Sequence, residues 1–117
     1  MEESNERRRD YTKSKEYRDI KKSLLQQLEE SGNDTAYFIG LVNDYMRLHV
    51  IKNQLSDDIE ERGVVCKYQN GKDQWGYKRN DSVGELNKVS AQMLKILTQL
   101  KIKPKEVEIV DDDDDEL

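Results

Sequence analysis

Residues 33–63 read NDTAYFIGLVNDYMRLHVIKNQLSDDIEERG, and this stretch decides the fold class. Phe38, Leu41, Tyr45, Leu48, Leu55 and Ile59 recur in alternating three- and four-residue steps, interrupted at Lys52, which is the spacing of one helix face. Asn33 or Asp34 offers an oxygen to the orphan amides at its start, and Gly63 follows Arg62, where the helix is expected to end. At 1.5 Å per residue such a helix is roughly 40 Å long, more than one short partner helix covers. Tyr37, Val42, Met46 and Ile51 widen the apolar face, which suits burial against a helix of the same chain and against a neighbouring subunit. Phe38, Leu41, Tyr45, Leu48, Leu55 and Ile59 are therefore the candidate oligomer interface.

Before this helix, Tyr17, Ile20, Leu24 and Leu28 form a second stripe, predicting a helix from about Lys13 to about Glu30 that Gly32 terminates. After it, Val64-Val65-Cys66-Lys67-Tyr68 favours extended backbone, Asn70-Gly71 is a turn pair, and Trp75-Gly76-Tyr77 supplies a returning strand, giving a β-hairpin or extended loop. A last helix begins near Ser82, which has Glu85 at capping-box spacing. Leu86, Val89, Met93, Ile96 and Leu100 line its face, Leu97 flanks them, and Pro104 follows the stop. The expected fold is mostly α: a helical hairpin with a long central helix, a short β-hairpin, a C-terminal helix and an acidic tail. Residues 1–12 read as a flexible arm, 13–104 as one helical domain, and 105–117 as a disordered acidic tail.

Charge is distributed unevenly. The chain has 117 residues, of which 34% are hydrophobic and 38% charged, with a net charge of −5. One domain with a thin core fits these values, and thin cores with regular stripes are often completed by further copies. Residues 105–117 carry one lysine against eight carboxylates, a charge of −7, so the remainder stands at +2. Residues 7–22 hold Arg7, Arg8, Arg9, Lys13, Lys15, Arg18, Lys21 and Lys22 against three carboxylates, a local +5. Such cations neutralise phosphates and release counterions, which makes this set the first candidate for DNA contact. Lys67, Lys72, Lys78 and Arg79 around the hairpin are the second, with Trp75 and Tyr77 as aromatic companions or, equally, as residues that pack on neighbouring strands or subunits.

Several chemistries lack their parts. There is no phosphate-binding loop of the Gly-x-x-x-x-Gly-Lys-Ser/Thr type, so no ATPase is expected in this chain. His49 is the single histidine and Cys66 the single cysteine, too few for a structural zinc site or an intrachain disulfide. His49 reads as a partly exposed helix residue and Cys66 as an inert thiol. Asp57-Asp58 and Glu60-Glu61 read as solvent-facing charge, because adjacent helical residues diverge. No run of about 18 apolar residues offers a membrane span, and the charged start Met1 to Asp10 lacks the apolar region of a secretion signal. A non-enzymatic protein without metal or cofactor, in a reducing cytoplasm, is the expectation.

The order of local words resembles the small subunits of tailed-phage terminases. They are Leu24 to Leu28 leading to Ser31-Gly32 and Asp34, then Glu61-Arg62-Gly63-Val64-Val65, Tyr68-Gln69-Asn70-Gly71 and Gly76-Tyr77-Lys78-Arg79-Asn80. Ser82-Val83, Leu86-Asn87-Lys88 and Met93-Leu94-Lys95-Ile96-Leu97 follow, closing at Leu100-Lys101-Ile102-Lys103-Pro104. The resemblance spans about residues 17–104. Two departures stand out: many relatives have Asn-Pro-Ala in place of Asn80-Asp81-Ser82, and Leu-Gly-Leu in place of Leu100-Lys101-Ile102.

What the resemblance implies is a homo-oligomeric ring in a host bacterial cytoplasm. Such a subunit engages double-stranded viral DNA near the packaging start and regulates a terminase large subunit that owns the ATPase and nuclease. Under it the tail has two readings. Val107, Ile109, Val110 and Leu117, interleaved with acids, dock the large subunit or compete with DNA for the basic arm; alternatively the tail only aids solubility. A rival from another class is a helical interaction or regulatory protein without direct DNA binding. A transcription regulator is a weaker third, since its usual pair of short helices at a tight turn is not visible.

Overall fold

The computed structural model describes residues 9–102 of the chain. A 3-10 turn at Tyr11–Lys13 precedes helix α1, Lys15–Glu30; helix α2 spans Ala36–Arg62. Strands β1, Val65–Gln69, and β2, Trp75–Arg79, pair antiparallel, and helix α3 spans Asp81–Leu100. The element order is the one expected from the sequence, with the long helix ending at Arg62.

Helix α2 is the spine. α1 runs back along it, bringing Tyr17 to His49 with ring centroids 6.2 Å apart and, further on, the Tyr11 hydroxyl to Asp57, to which it donates. α3 lies against α2 as well. Leu24 and Leu28 of α1, Val42 and Met46 of α2, and Ile96 and Leu100 of α3 make one buried cluster where the three helices meet. Burying six such side chains contributes on the order of 1.5–3 kcal/mol each.

The centre of the α2 face differs from the sequence reading. Val42, Met46 and His49 are its buried residues, while Phe38, Leu41, Tyr45 and Leu48 are half-buried and pack around the cluster. The reason is geometric: a helix flanked by two others buries an arc centred between them, and of the widening residues Val42 and Met46 occupy that centre, while Tyr37 stays exposed and Ile51 half-buried. His49, expected to be partly exposed, is 7% exposed, with the Asn53 amide 3.2 Å from its Nε2.

Helix ends also depart from expectation. Ser14 caps α1 by accepting from the Tyr17 N–H at 3.1 Å, so order begins within the stretch assigned to the flexible arm: Tyr11 and Thr12 belong to the 3-10 turn. Thr35 stands at the α2 N-cap and makes no side-chain cap bond, where Asn33 or Asp34 was expected. For α3 the cap is Asn80, whose side chain accepts from the Ser82 N–H. Ser82 itself already lies inside the helix, and its hydroxyl is committed to Asp58.

Two helices close with the same pair of hydrogen bonds. After α1, the Gly32 N–H reaches Glu29 O and the Asn33 N–H reaches Leu28 O. After α3, the Lys101 N–H reaches Thr98 O and the Ile102 N–H reaches Leu97 O. Both are Schellman closures, which need a left-handed residue. Gly32 adopts φ 77° without strain, but Lys101 must adopt φ 58° with a Cβ. The chain tolerates this because Ile102 and Leu97 both pack against the core cluster.

Lys101→Gly is expected to stabilise the fold by about 0.5–1 kcal/mol, the relief of left-handed strain less the extra freedom of the unfolded glycine. A thermal midpoint several degrees higher is the readout. An unchanged or lower midpoint would mean that the lysine side chain makes up the difference.

Candidate nucleic-acid interface

Two surfaces of the described residues concentrate positive charge. On α1, Lys15, Arg18 and Lys22 follow the three- and four-residue spacing that places them on one face, and all three are exposed. Lys21 is half-buried. Several of these cations have local partners: Lys15 pairs with Asp19 at 3.2 Å, Lys13 with Asp10 at 3.9 Å, and Arg18 donates to Lys13 O at 2.8 Å. Exposed pairs of this kind are worth at most about 1 kcal/mol, so they orient the side chains more than they occupy them. Arg9 is exposed, and Arg7 and Arg8 lie outside the described residues.

The hairpin is the other surface. Its register pairs Val65 with Arg79, Lys67 with Tyr77 and Gln69 with Trp75 on one face, and Cys66 with Lys78 and Tyr68 with Gly76 on the other. On the first face Lys67 Nζ sits 4.5 Å from the Trp75 ring centroid; on the second, Lys78 Nζ is 5.9 Å from the Tyr68 ring. Lys72 lies in the turn. Among the described residues none of Lys67, Lys72, Lys78 and Arg79 is paired with a carboxylate. Residues 64–80 carry four cations against Asp73 alone, a charge of +3.

A polar clamp sets where the hairpin leaves the helices. Arg62 donates to both carboxylate oxygens of Asp58, at 2.7 and 2.8 Å. Asn80 is fully buried; its amide nitrogen donates to Asp58 at 3.1 Å and to Gly63 O at 2.9 Å. Its oxygen accepts from Arg62 at 3.1 Å and from the Ser82 N–H at 2.9 Å. The Ser82 hydroxyl completes the set, donating to Asp58 at 2.7 Å. Gly63 enters the turn at φ 85°, ψ 174°, a region essentially reserved for glycine.

Asp57 and Asp58 are therefore not the solvent-facing charge that their sequence suggests. Asp57 accepts from Tyr11, and its carboxylate is the main reason that the phenol's pKa is raised. The Arg62 guanidinium first, then the Ser82 hydroxyl, hold the Asp58 carboxyl far below the usual carboxylate range. Sequence reasoning missed Asn80, because the partners that bury it come from residues 58–64 and become neighbours only when the hairpin closes.

Among the described residues no group of three or more His, Cys, Asp or Glu is placed to hold a metal ion, and no helix is long and apolar enough to cross a membrane. Cys66 is half-buried, with an Arg62 nitrogen 3.9 Å from its sulfur. The docking residues Val107, Ile109, Val110 and Leu117 lie outside the described residues.

A family model described as phage terminase, small subunit, matches residues 17–113. Neither a curated protein nor a solved structure matches the chain.

Because Asp58 has a depressed pKa in the folded state, its contribution to stability is full above the unfolded carboxyl range near pH 4 and is lost as pH falls through the folded value. Unfolding midpoints of the native protein and of Asp58→Asn, measured at pH 7 and near pH 2, should differ most at pH 7 and converge in acid. A constant gap would show that the charge of Asp58 contributes nothing.

Proposed function

Since the chain belongs to the phage terminase small-subunit family, we propose that it binds double-stranded viral DNA at the packaging start and recruits or regulates the large ATPase-nuclease subunit. The observation that carries this reading is the exposed row Lys15, Arg18 and Lys22 on α1, continued toward Arg9 and Lys13, in a chain whose negative charge is concentrated at 105–117. Rows of this kind contact phosphates, which sets affinity and position but carries little sequence information. Work on the DNA itself falls to the large subunit, and this chain acts as an adaptor without catalysis.

A ring of copies would repeat the α1 row around the assembly and raise the local potential that a polyanion meets. For the contact between copies the proposal keeps Phe38, Leu41, Tyr45, Leu48, Leu55 and Ile59. The first four pack against the chain's own core and Leu55 and Ile59 are half-buried, so exposed Tyr37 and Leu94 on the helices add apolar surface to this contact. Val107, Ile109, Val110 and Leu117 are proposed to dock the large subunit.

Replacing Lys15, Arg18 and Lys22 together by alanine should weaken binding to linear duplex DNA to a similar degree across sequences. It should also flatten the dependence of log K on log salt by about 0.9 for each phosphate that is no longer neutralised. An unaltered slope would remove α1 from the DNA surface and move the contact to the hairpin cations Lys67, Lys72, Lys78 and Arg79; no measurable binding by the native protein would favour a helical regulator that does not touch DNA. The native mass of the purified protein, read by light scattering, should be a discrete multiple of the 13.8 kDa chain; a stable monomer at micromolar concentration would exclude the ring.

A further inference from the structure

The two faces of the hairpin treat their aromatic residues differently. On one, the phenol end of Tyr68 stands over Gly76, so closely that a Cβ there would lie 2.9–3.0 Å from its Cε1, Cζ and hydroxyl oxygen. That tyrosine is used by the fold. On the other face Trp75 is 58% and Tyr77 72% exposed, and Lys67 and Arg79 stand on the same face beside them. A two-stranded ribbon has little core of its own, so leaving two large rings in water is unexplained by folding.

We propose that this face binds unpaired nucleotides of single-stranded DNA, with Trp75 and Tyr77 stacking on bases and Lys67 and Arg79 taking the flanking phosphates. Cations alone suffice to hold a duplex, which presents phosphates and groove edges while its bases cover one another. An exposed ring finds a base face only where a base has left its stack. The spacing points the same way. Trp75 and Tyr77 are alternate residues of one strand, about 7 Å apart, twice the rise of about 3.4 Å per nucleotide in a duplex strand. Neighbouring bases reach both rings only when the strand is drawn out.

A second copy of the chain is the poorer occupant, because two ribbons of charge +3 repel when they meet face to face. Binding replaces the contact of Lys67 with Trp75 by a base on the ring and a phosphate on the ammonium, so both groups keep a partner. The assignment rests on the nucleic-acid reading above, giving the duplex to α1 and single strands to the hairpin.

Trp75 is the only tryptophan of the chain, so its fluorescence reports on this face alone. Titrating the full-length protein at low salt with an oligothymidylate should quench the emission to saturation, whereas a blunt duplex of equal phosphate content should quench it weakly. Tyr77→Thr keeps strand propensity and should lower single-strand affinity roughly tenfold through removal of one stacking ring. The Lys15, Arg18 and Lys22 triple-alanine variant should retain the quenching. The proposal fails if oligothymidylate leaves the emission unchanged, if duplex quenches equally, or if Tyr77→Thr alters native mass while single-strand affinity holds. Loss of duplex binding in the triple variant, whatever the hairpin does, bears only on the α1 reading.

Discussion

The amide of Asn80 has two donors and two accepting positions, and all are filled: by Asp58, by the Gly63 carbonyl, by Arg62 and by the Ser82 N–H. Its own N–H adds a bond of 2.6 Å to Val64 O. One side chain thereby joins the end of α2, the entry to the hairpin and the first turn of α3. A buried amide with any of these positions empty would cost about 1–3 kcal/mol, so the clamp fixes the path of the chain through the junction rather than merely adding stability. Arg62 and Asp58 are partly exposed, yet their bidentate pair is held by neutral partners on both sides, which separates it from an ordinary surface ion pair.

With that junction fixed, the rest of the molecule divides by distance from it. At the far end, Leu28, Val42, Met46 and Leu100 close the apolar cluster, and the Schellman closures at Gly32 and Lys101 stop the helices where the cluster ends. At the near end, among the described residues, no apolar side chain covers the Val65, Trp75 and Tyr77 face of the hairpin. Val65, Trp75 and Tyr77 face water, and the ribbon is held by its own ladder, by Tyr68 over Gly76 and by the clamp at its base. Segments with few buried neighbours open at low free energy; here that segment is also the one whose cations pair with no carboxylate among the described residues and whose aromatic rings are exposed.

Positive charge follows the same division. Lys15 and Arg18 of α1 are tethered to Asp19 and to Lys13 O, and Lys13 just before the helix to Asp10, on a helix that packs against α2. Two of the hairpin cations, Lys67 and Lys78, lie over aromatic rings instead. A rigid row suits a regular array of phosphates, and an adaptable ribbon suits a strand without fixed geometry, which is the division of binding proposed above.

Apolar periodicity and turn chemistry alone determined the element order, the extent of the long helix and the Asn70-Gly71 hairpin, because these depend on spacing within a few residues. The words shared with terminase small subunits likewise lay open in the chain, and so did its charge polarity. Which residues of α2 reach the centre of the core was decided by the tertiary structure, since that arc depends on where α1 and α3 both press. The same holds for Asp58, which looks solvated beside Asp57 and Glu60 until closure of the hairpin carries Asn80 and Ser82 to it. Lys101 shows the limit from the other direction: local chemistry favours glycine at a left-handed position, and the packing of Ile102 and Leu97 on the core outweighs it.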